Sequence, residues 1–404
     1  MARPATRPPT PPPVVRVDWD GVRAFRLHRH ALDERRDRRS LTRVVGAMGG
    51  AQAQLLTAAK LSVAARVRDV DPETIDRALW QDRSLVRAWC MRRTLHVVPS
   101  REVAVFVRGT AGRAEKEVRW MRSHGVASRT VEEAIEATLA SLDRPCTRRT
   151  LAEQVAERLG VPVVWGRGGG WGSDRRIPGV KVGPVDCPAY YLLHLAGARG
   201  VLVSGPTVEG EATFVRADAW VPRWTDRTVP DAEEELLRLF LRAFGPATPH
   251  DFLAWTRLRL ADVRAIWARL EGEIVPVDIE GTRAWCLEDD AAELTSARRT
   301  GLSVRLLPYF DSYLMGHLER EQTVPAAWRR RVVRDQGWIA PVVLVDGRAE
   351  GVWRHRVSRT GLTVEATPFV RFAPSTRSAL REEARALGRF LGARTTSVSF
   401  VTAL

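Results

Sequence analysis

The chain has 404 residues, 45% of them hydrophobic, and a formal net charge of +15. No run of about 18 apolar residues occurs, which excludes a transmembrane helix, and the four cysteines are isolated, which argues against a disulfide framework or a zinc module. The length predicts about two to four domains, and the cysteine usage fits a reducing cytoplasm.

Almost all of the basic charge is arginine, because lysine occurs only at Lys60, Lys116 and Lys181. Arginine makes planar, two-point contacts to phosphate and guanine, so a chain of this kind favours nucleic acid as its partner. A GC-rich genome also replaces lysine with arginine. That bias explains the ratio of the two residues but not the excess of base over acid.

The N-terminal part opens with a proline-rich arm, residues 1–16, which we expect to be disordered or polyproline-like. Residues 17–39 predict a helical segment whose arginine cluster, 35–39, is either a solvated face or a phosphate contact. Asp71 and Pro72 are typical of a helix N-terminus and predict a helix to about residue 80. The other elements predicted here are a short helix over 84–89, a strand over 92–98 and a helix capped by Ser100.

Two amides lie one residue apart near the start of the chain. Gln52 and Gln54 follow a glycine pair, Gly49 and Gly50, and precede a helix predicted over 55–67. Alternate side chains of an extended segment point the same way, so both amides can converge on one small object such as a water molecule. The alternative is two surface glutamines at a helix start.

Two later stretches each show the order helix, turn, helix and hairpin, which is the winged-helix arrangement. The elements predicted in the first are helices over 151–159 (capped by Thr147 or Thr150, ended by Gly160) and 187–198, a Gly- and Arg-rich loop over 166–183, and strands at 201–203 and 213–215 with a turn at Gly205-Pro206. Those predicted in the second are helices from Thr248-Pro249 to 256 and from 260 to 270, and a hairpin of 273–279 and 282–287 turning at Glu280-Gly281.

The sequence therefore predicts an α+β protein of three tandem winged helix-turn-helix modules followed by a C-terminal β-rich region. The boundaries we expect are 17–127, 128–228, 229–298 and 299–404. The C-terminal elements predicted are strands over 304–307, 338–345, 352–356 and 362–366, with a turn at Asp346-Gly347, and a helix over 376–391. Tandem winged helices in a basic chain favour DNA binding, although such modules also serve as protein-interaction scaffolds.

Three other motifs carry less weight. His317 and Glu319 have the H-x-E form of zinc deaminases, but the P-C-x-x-C that this chemistry also needs is absent, so His317 is interpreted as structural or as a contact residue. The glycine-rich run 166–172 fails the spacing of the nucleotide fingerprints and predicts a flexible loop, with or without a DNA contact. Asp311 is interpreted as a helix cap, with a buried functional acid as the alternative.

Four stretches resemble the AlkZ-like winged-helix DNA glycosylases. They are Gln52-Ala53-Gln54, RAWCMRRTLH at 87–96, LLPYFDSYLMG at 306–316, and VDGR at 345–348 with GVWR at 351–354. The resemblance implies tandem winged helices around a C-shaped, positively charged cleft for duplex DNA. Two positions differ from the expected pattern: Ala51 is smaller than the bulky apolar residue expected there, and Arg93 stands where glycine is common.

The same resemblance implies hydrolysis of the N-glycosidic bond of alkylated bases, with Gln52 and Gln54 as the catalytic residues of the Gln-x-Gln branch, which can unhook interstrand crosslinks. Neutral amides suit this reaction. An N7- or N3-alkylated purine is already cationic and leaves as a neutral base, so positioning a water is the main requirement. The expected substrates are N7-alkylguanine and N3-alkyladenine, in base-excision repair.

The DNA contacts that we expect in or near the cleft are Arg87, Arg92, Arg93 and His96. No metal or other cofactor is expected, and the predicted partner is double-stranded DNA carrying alkylated or crosslinked purines. The enzyme is expected to be a monomeric, monofunctional glycosylase of the bacterial cytoplasm, associated with the nucleoid. The alternative is a non-catalytic winged-helix DNA-binding protein or transcription regulator.

Overall fold

The computed structural model describes residues 14–167, 176–222, 224–359 and 361–401. Up to residue 123 the elements are β1 (Val15–Val17), α1 (Trp19–Arg29), α2 (Leu41–Ala47), β2 (Ala51–Gln52), α3 (Leu56–Ala64), α4 (Pro72–Trp80), β3 (Leu85–Trp89), β4 (Leu95–Pro99), α5 (Val103–Arg108) and α6 (Glu115–Ser123).

The middle of the chain contains α7 (Ser128–Ala140), β5 (Cys146–Thr147), α8 (Arg148–Leu159), β6 (Val163–Arg167), β7 (Arg176–Val182), β8 (Val185–Pro188), α9 (Ala189–Ala198), β9 (Leu202–Val208), β10 (Glu211–Arg216) and α10 (Ala217–Trp220). The next elements are α11 (Val229–Phe244), α12 (Pro249–Thr256), α13 (Leu260–Arg269), β11 (Ile274–Ile279), β12 (Thr282–Leu287) and α14 (Ala291–Ser296).

The C-terminal part is a five-stranded sheet in the order β13-β14-β15-β16-β17, packed against a long helix. Its elements are β13 (Val304–Leu307), α15 (Arg329–Val332), β14 (Val342–Val345), β15 (Arg348–Val357), β16 (Gly361–Pro368), α16 (Pro374–Phe390) and β17 (Thr395–Phe400). The molecule is therefore a mixed α+β protein, as expected from the sequence.

One order of elements recurs three times: helix, short strand, two helices and a hairpin. It is present in α2-β2-α3-α4-β3-β4, and again in α7-β5-α8-α9-β9-β10, where strands β6, β7 and β8 are inserted before α9. The third case is α11-α12-α13-β11-β12, where Ala247 forms the short-strand bridge to Trp285 of β12. In every case the short strand pairs with the second strand of the hairpin.

The helix termini follow the sequence signals closely. Thr248 caps α12 in a reciprocal capping box with Asp251, and Asp71 accepts a hydrogen bond from the Thr74 backbone N–H at the start of α4. Gly160 ends α8 in the left-handed conformation, at φ 63°. These confirm the predicted ends, because capping depends on residues within one turn.

Several predicted elements are wrong. The predicted helix over 84–89 is strand β3, because this short apolar run pairs along its length with β4. The turn predicted at Gly205-Pro206 lies instead at Glu209-Gly210, and Gly205 is inside β9, where a Cβ would lie 2.6 Å from the Thr213 hydroxyl. Ser100 starts a 3-10 turn but its side chain caps no helix.

The ends of two other predictions also change. Val15 and Arg16, placed in the N-terminal arm, belong to β1, which pairs in parallel with β11; residues 1–13 lie outside the described residues. Part of the loop predicted over 166–183 is strand: residues 166–167 belong to β6 and 176–182 to β7, which pair antiparallel, and residues 168–175 lie outside the described residues.

Candidate functional site

The segment that carries the two amides enters through a tight glycine turn. Gly49 and Gly50 have φ of 72° and 79°, which L side chains rarely adopt. A Cβ at Gly49 would lie 2.9 Å from the Phe244 ring, and one at Gly50 would lie 2.9 Å from Val98. The glycine pair therefore turns the chain from α2 into β2 at positions where no larger residue fits.

Gln52 and Gln54, called the Gln pair below, alternate with two buried alanines. Ala51 and Ala53 are fully buried in a core shared with the C-terminal sheet. Gln52 lies in β2, where alternation turns its side chain away from Ala51 and that core, whereas Gln54 lies in the bend that precedes α3. Gln52 is paired with His96 of β4 and is 6% exposed, whereas Gln54 is half-buried.

A half-buried arginine orients the Gln52 amide. Arg92 donates from Nη2 to Gln52 Oε1 at 3.0 Å and from Nη1 to the Trp255 backbone carbonyl at 3.2 Å. Nη2 also lies 3.2 Å from His96 Nε2, which acts as the acceptor if His96 Nδ1–H donates to the Thr94 carbonyl 3.0 Å away. Because a guanidinium only donates, the amide oxygen of Gln52 must face Arg92.

The Gln54 amide is oriented by the backbone. Its Oε1 accepts a hydrogen bond of 3.0 Å from the Leu95 N–H of β4. Because the partner is a donor, the atom that faces Leu95 must be the amide oxygen and not the amino group. Each amide oxygen thus has its own protein partner. Among the described residues no acceptor bonds to either amino group, so the amino groups and second oxygen lone pairs remain for a substrate or a water. Convergence of both amides on one water stays a prediction.

Arg87 holds the backbone between the two glutamines. Its Nε and Nη2 donate to the Ala53 carbonyl at 3.1 and 2.8 Å, and Ala53 N–H donates to the Leu95 carbonyl at 2.6 Å. Burial lowers the pKa of Arg87 to about 10. The contact gives Arg87 a positioning role that the sequence did not indicate.

Arg92 and Arg93 both adopt left-handed backbone conformations, with φ of 55° and 60°. A glycine, which the resemblance leads us to expect in place of Arg93, would adopt that conformation without strain. The Arg93 side chain forms an ion pair with Glu117, which is 5% exposed. Burial, followed by the charges of Arg320 and Arg257, lowers the pKa of Arg92 to about 9.

All four residues predicted to contact DNA lie around the Gln pair or on the strands beside it. Arg87, Arg92 and Arg93 bond to protein acceptors, and His96 is 1% exposed. Their contacts to DNA stay predictions, while their contacts within the protein hold the site together.

A turn of the C-terminal region, Asp311 to Tyr313, contacts the chain on both sides of the Gln pair. The Ser312 hydroxyl donates to the Gly50 carbonyl at 2.5 Å, just before the Gln pair. Asp311 forms a two-point ion pair of 2.6 and 2.8 Å with Arg66, which follows α3, and accepts from Ser62 of α3. Asp311 also accepts from the Tyr313 N–H, so it is both a cap and a buried acid.

His317 has a structural contact. Its Nε2 lies 2.9 Å from the Phe244 carbonyl, and burial lowers the pKa of His317 to about 3. Among the described residues, no group of three or more His, Cys, Asp and Glu side chains is arranged to hold a metal ion. Within the same ranges, no helix is long and apolar enough to cross a membrane.

The chain is similar to known proteins over most of its length. A family model described as DNA glycosylase AlkZ-like matches residues 45–390. The interstrand DNA cross-link repair glycosylase of Streptomyces sahachiroi is 33% identical over 349 residues, which are 84% of this chain and 88% of that protein. The solved structure of the Streptomyces sahachiroi DNA glycosylase AlkZ matches with a TM-score of 0.78 and 29% identity, covering 96% of this chain and 100% of that chain.

Proposed function

The chain belongs to the AlkZ-like family of DNA glycosylases, and from that premise we propose that it hydrolyses the N-glycosidic bond of cationic N-alkylpurines in duplex DNA. Its substrates are N7-alkylguanine and N3-alkyladenine, including purines joined in interstrand crosslinks. The relative from Streptomyces sahachiroi is named for interstrand crosslink repair, which supports the last class. The observation that carries the proposal is the pair of amides fixed by Arg92 and by the Leu95 N–H.

The Gln pair positions the attacking water. Water adds to the anomeric carbon, the glycosidic bond breaks, its electron pair neutralises the cationic purine, and the water's proton passes to solvent. An amide is too weak a base to take that proton, so its contribution is orientation. Normal purines leave poorly without a general acid, and selectivity for cationic lesions follows.

The enzyme is a monofunctional glycosylase that leaves an abasic site. Lyase chemistry needs an amine free to form a Schiff base. Lys60, on the helix that follows the Gln pair, donates to Asp76 at 2.6 Å, which favours hydrolysis by water instead.

The three recurring units are winged-helix modules that together form a basic, C-shaped cleft for duplex DNA. Their shared order of helix, short strand, two helices and hairpin supports this assignment. We assign the modules to residues 17–127, 128–228 and 229–298, followed by the β-rich region 299–404. The enzyme acts as a monomer in the bacterial cytoplasm, in association with the nucleoid.

Base release from alkylated DNA tests the proposal. Wild type is expected to release 7-methylguanine from methylated duplex, and Gln52→Ala and Gln54→Ala are expected to lose most of that activity. Gln81→Ala, which changes an exposed glutamine next to α4, is the matched control. No release by wild type, or undiminished release by both variants, would overturn the proposal. A crosslinked duplex in the same assay tests the unhooking activity.

A further inference from the structure

The arginines nearest to the Gln pair are already engaged. Arg87 donates to the Ala53 carbonyl, Arg92 donates to the Gln52 amide and the Trp255 carbonyl, and Arg93 is paired with Glu117. A guanidinium with these acceptors has little left for a phosphate unless the site rearranges. The phosphate backbone supplies most of the affinity of a protein for DNA, so another cation must meet it beside the site.

Arg257 is such a cation. It follows α12 directly and ends the helix in the left-handed conformation, at φ 65°, with its N–H bonded to the Leu253 carbonyl. Its side chain is exposed, and among the described residues no carboxylate or other acceptor bonds to it. The Trp255 carbonyl, two positions earlier, accepts the hydrogen bond from Arg92, so Arg257 lies next to the group that holds Gln52.

The conformation of Arg257 argues for a role of its guanidinium. A left-handed residue at a helix C-terminus is most often glycine, because a side chain raises the backbone free energy there. Arg259, two residues further on, differs: its guanidinium forms a two-point ion pair with Asp262 at 2.7 and 2.8 Å. The two exposed arginines are thus close in sequence, and one is held by a carboxylate while the other is not.

We propose that Arg257 binds a backbone phosphate of the strand whose purine is released at the Gln pair. The proposal rests on the proposed glycosylase function and adds a DNA contact to it. A phosphate there also offsets the positive charge that Arg92, Arg257 and Arg320 place near a cationic lesion and the oxocarbenium-like transition state. Their mutual repulsion is already evident, since the charges of Arg320 and Arg257 act with burial to lower the pKa of Arg92.

The salt dependence of binding to undamaged duplex DNA is the first test. Arg257→Gly removes the guanidinium while leaving a residue that favours the left-handed conformation, so the fold is retained. This variant is expected to bind about tenfold more weakly at low salt, and the slope of log K against log salt is expected to fall by about 0.9, the value for one phosphate contact. Arg257→Lys should keep most of the slope. Arg259→Ala is the matched control and should keep wild-type binding.

Replacing single phosphates by neutral methylphosphonates locates the contact. In single-turnover excision of 7-methylguanine, one replacement near the lesion is expected to slow wild type but to have little further effect on Arg257→Gly. Such a result means that the phosphate and the Arg257 side chain act together, which assigns that phosphate to Arg257. In Arg259→Ala the same replacement should slow excision as much as it does in wild type. An unchanged salt slope for Arg257→Gly, or the absence of coupling at every phosphate near the lesion, would overturn the inference.

The two experiments separate this inference from the proposed function. Binding to undamaged duplex reports on Arg257 even if wild type releases no base, in which case the glycosylase proposal fails alone. If wild type releases 7-methylguanine and Arg257→Gly binds DNA with the wild-type salt slope, the inference fails and the proposed function stands.

Discussion

Arg92 donates a hydrogen bond of 3.0 Å from Nη2 to Oε1 of Gln52, and this contact decides which end of the amide faces the protein. Since the guanidinium occupies the oxygen, the Gln52 amino group and the second oxygen lone pair face away from Arg92. The orientation of the amide therefore depends on a residue that also bonds to Trp255 of α12, so two of the recurring units together determine it.

Replacing Arg92 by methionine is expected to lower kcat for excision about a hundredfold with a smaller change in KM. The reason is that a misplaced positioning group costs roughly that factor while leaving DNA contacts elsewhere intact. Arg92→Lys, which keeps one donor, should recover part of kcat. Single-turnover rates over a range of enzyme concentrations measure both constants. Arg101→Ala is the control, because Arg101 is exposed and, among the residues that the structure describes, pairs only with its neighbour Glu102. A pure KM effect would contradict the positioning role.

Gln54 is expected to contribute to stability as well as to activity. Gln54→Met removes the acceptor of the Leu95 N–H and leaves a partly buried donor unpaired, which costs about 1–3 kcal/mol. Gln54→Glu keeps an acceptor and should lose less. Urea denaturation followed by circular dichroism measures the difference. Equal stability of the two variants would show that water replaces the lost acceptor.

The ion pair of Arg66 and Asp311 should be a major support of the site. Both side chains are fully buried, so Asp311→Asn leaves a buried guanidinium without its counter-charge and is expected to cost about 3–5 kcal/mol. Ser62 bonds to Asp311, and Ser312, the next residue, bonds to Gly50 before the Gln pair. The excision rate should therefore fall together with the free energy of unfolding. The exposed pair of Arg354 and Glu365 is the control, and Glu365→Gln should leave the denaturation midpoint unchanged. A small effect of Asp311→Asn would contradict the assignment.

His30 makes the fold sensitive to acid. Burial, followed by the charge of Arg66, lowers the pKa of His30 from 6.5 to about 3, so the folded protein keeps it neutral. Between these values the unfolded chain binds a proton that the folded chain does not. The contribution of the neutral His30 to the free energy of unfolding is therefore fully present above about pH 6.5. Below that pH the free energy of unfolding falls by up to about 1.4 kcal/mol per pH unit.

Urea denaturation at pH 7, 6 and 5 tests this expectation. His30→Leu should be less stable than wild type at pH 7, because the ring nitrogen Nε2 no longer donates to the Ala243 carbonyl, but it should lose less stability on acidification. Exposed His250 provides the control, and His250→Gln should follow wild type. An identical pH slope for His30→Leu and wild type would contradict the assignment.

The sequence predicts those parts of the fold that depend on neighbouring residues. The capping box of Thr248 and Asp251 and the hairpin of β11 and β12 follow from signals a few positions long. Strand β3 does not, because five mostly apolar residues fit a helix or a strand, and only pairing with β4 decides between them. The sequence does not predict strand β17, since this strand forms by parallel pairing with β16 and the whole of α16 separates the two.

The candidate site shows the same division. The spacing of Gln52 and Gln54 indicates the amides, but their partners depend on tertiary structure. Arg92 reaches the Trp255 carbonyl from 163 positions away, and Ser312 reaches the Gly50 carbonyl from 262 positions away. No local pattern predicts which acceptor a buried arginine will find. The sequence therefore predicts Arg92 as a DNA contact but not its hydrogen bond to Gln52.

The bond between Ser312 and Gly50 has a consequence for the order of events during synthesis. The segment carrying the Gln pair emerges from the ribosome early, but the turn that anchors it is made only after the three recurring units are complete. A chain that stops before Asp311 lacks this anchor and also the carboxylate that holds Ser62 of α3 and Arg66. Truncated products are thus expected to lack base-releasing activity, because the core around Ala51 and Ala53 also needs the C-terminal sheet.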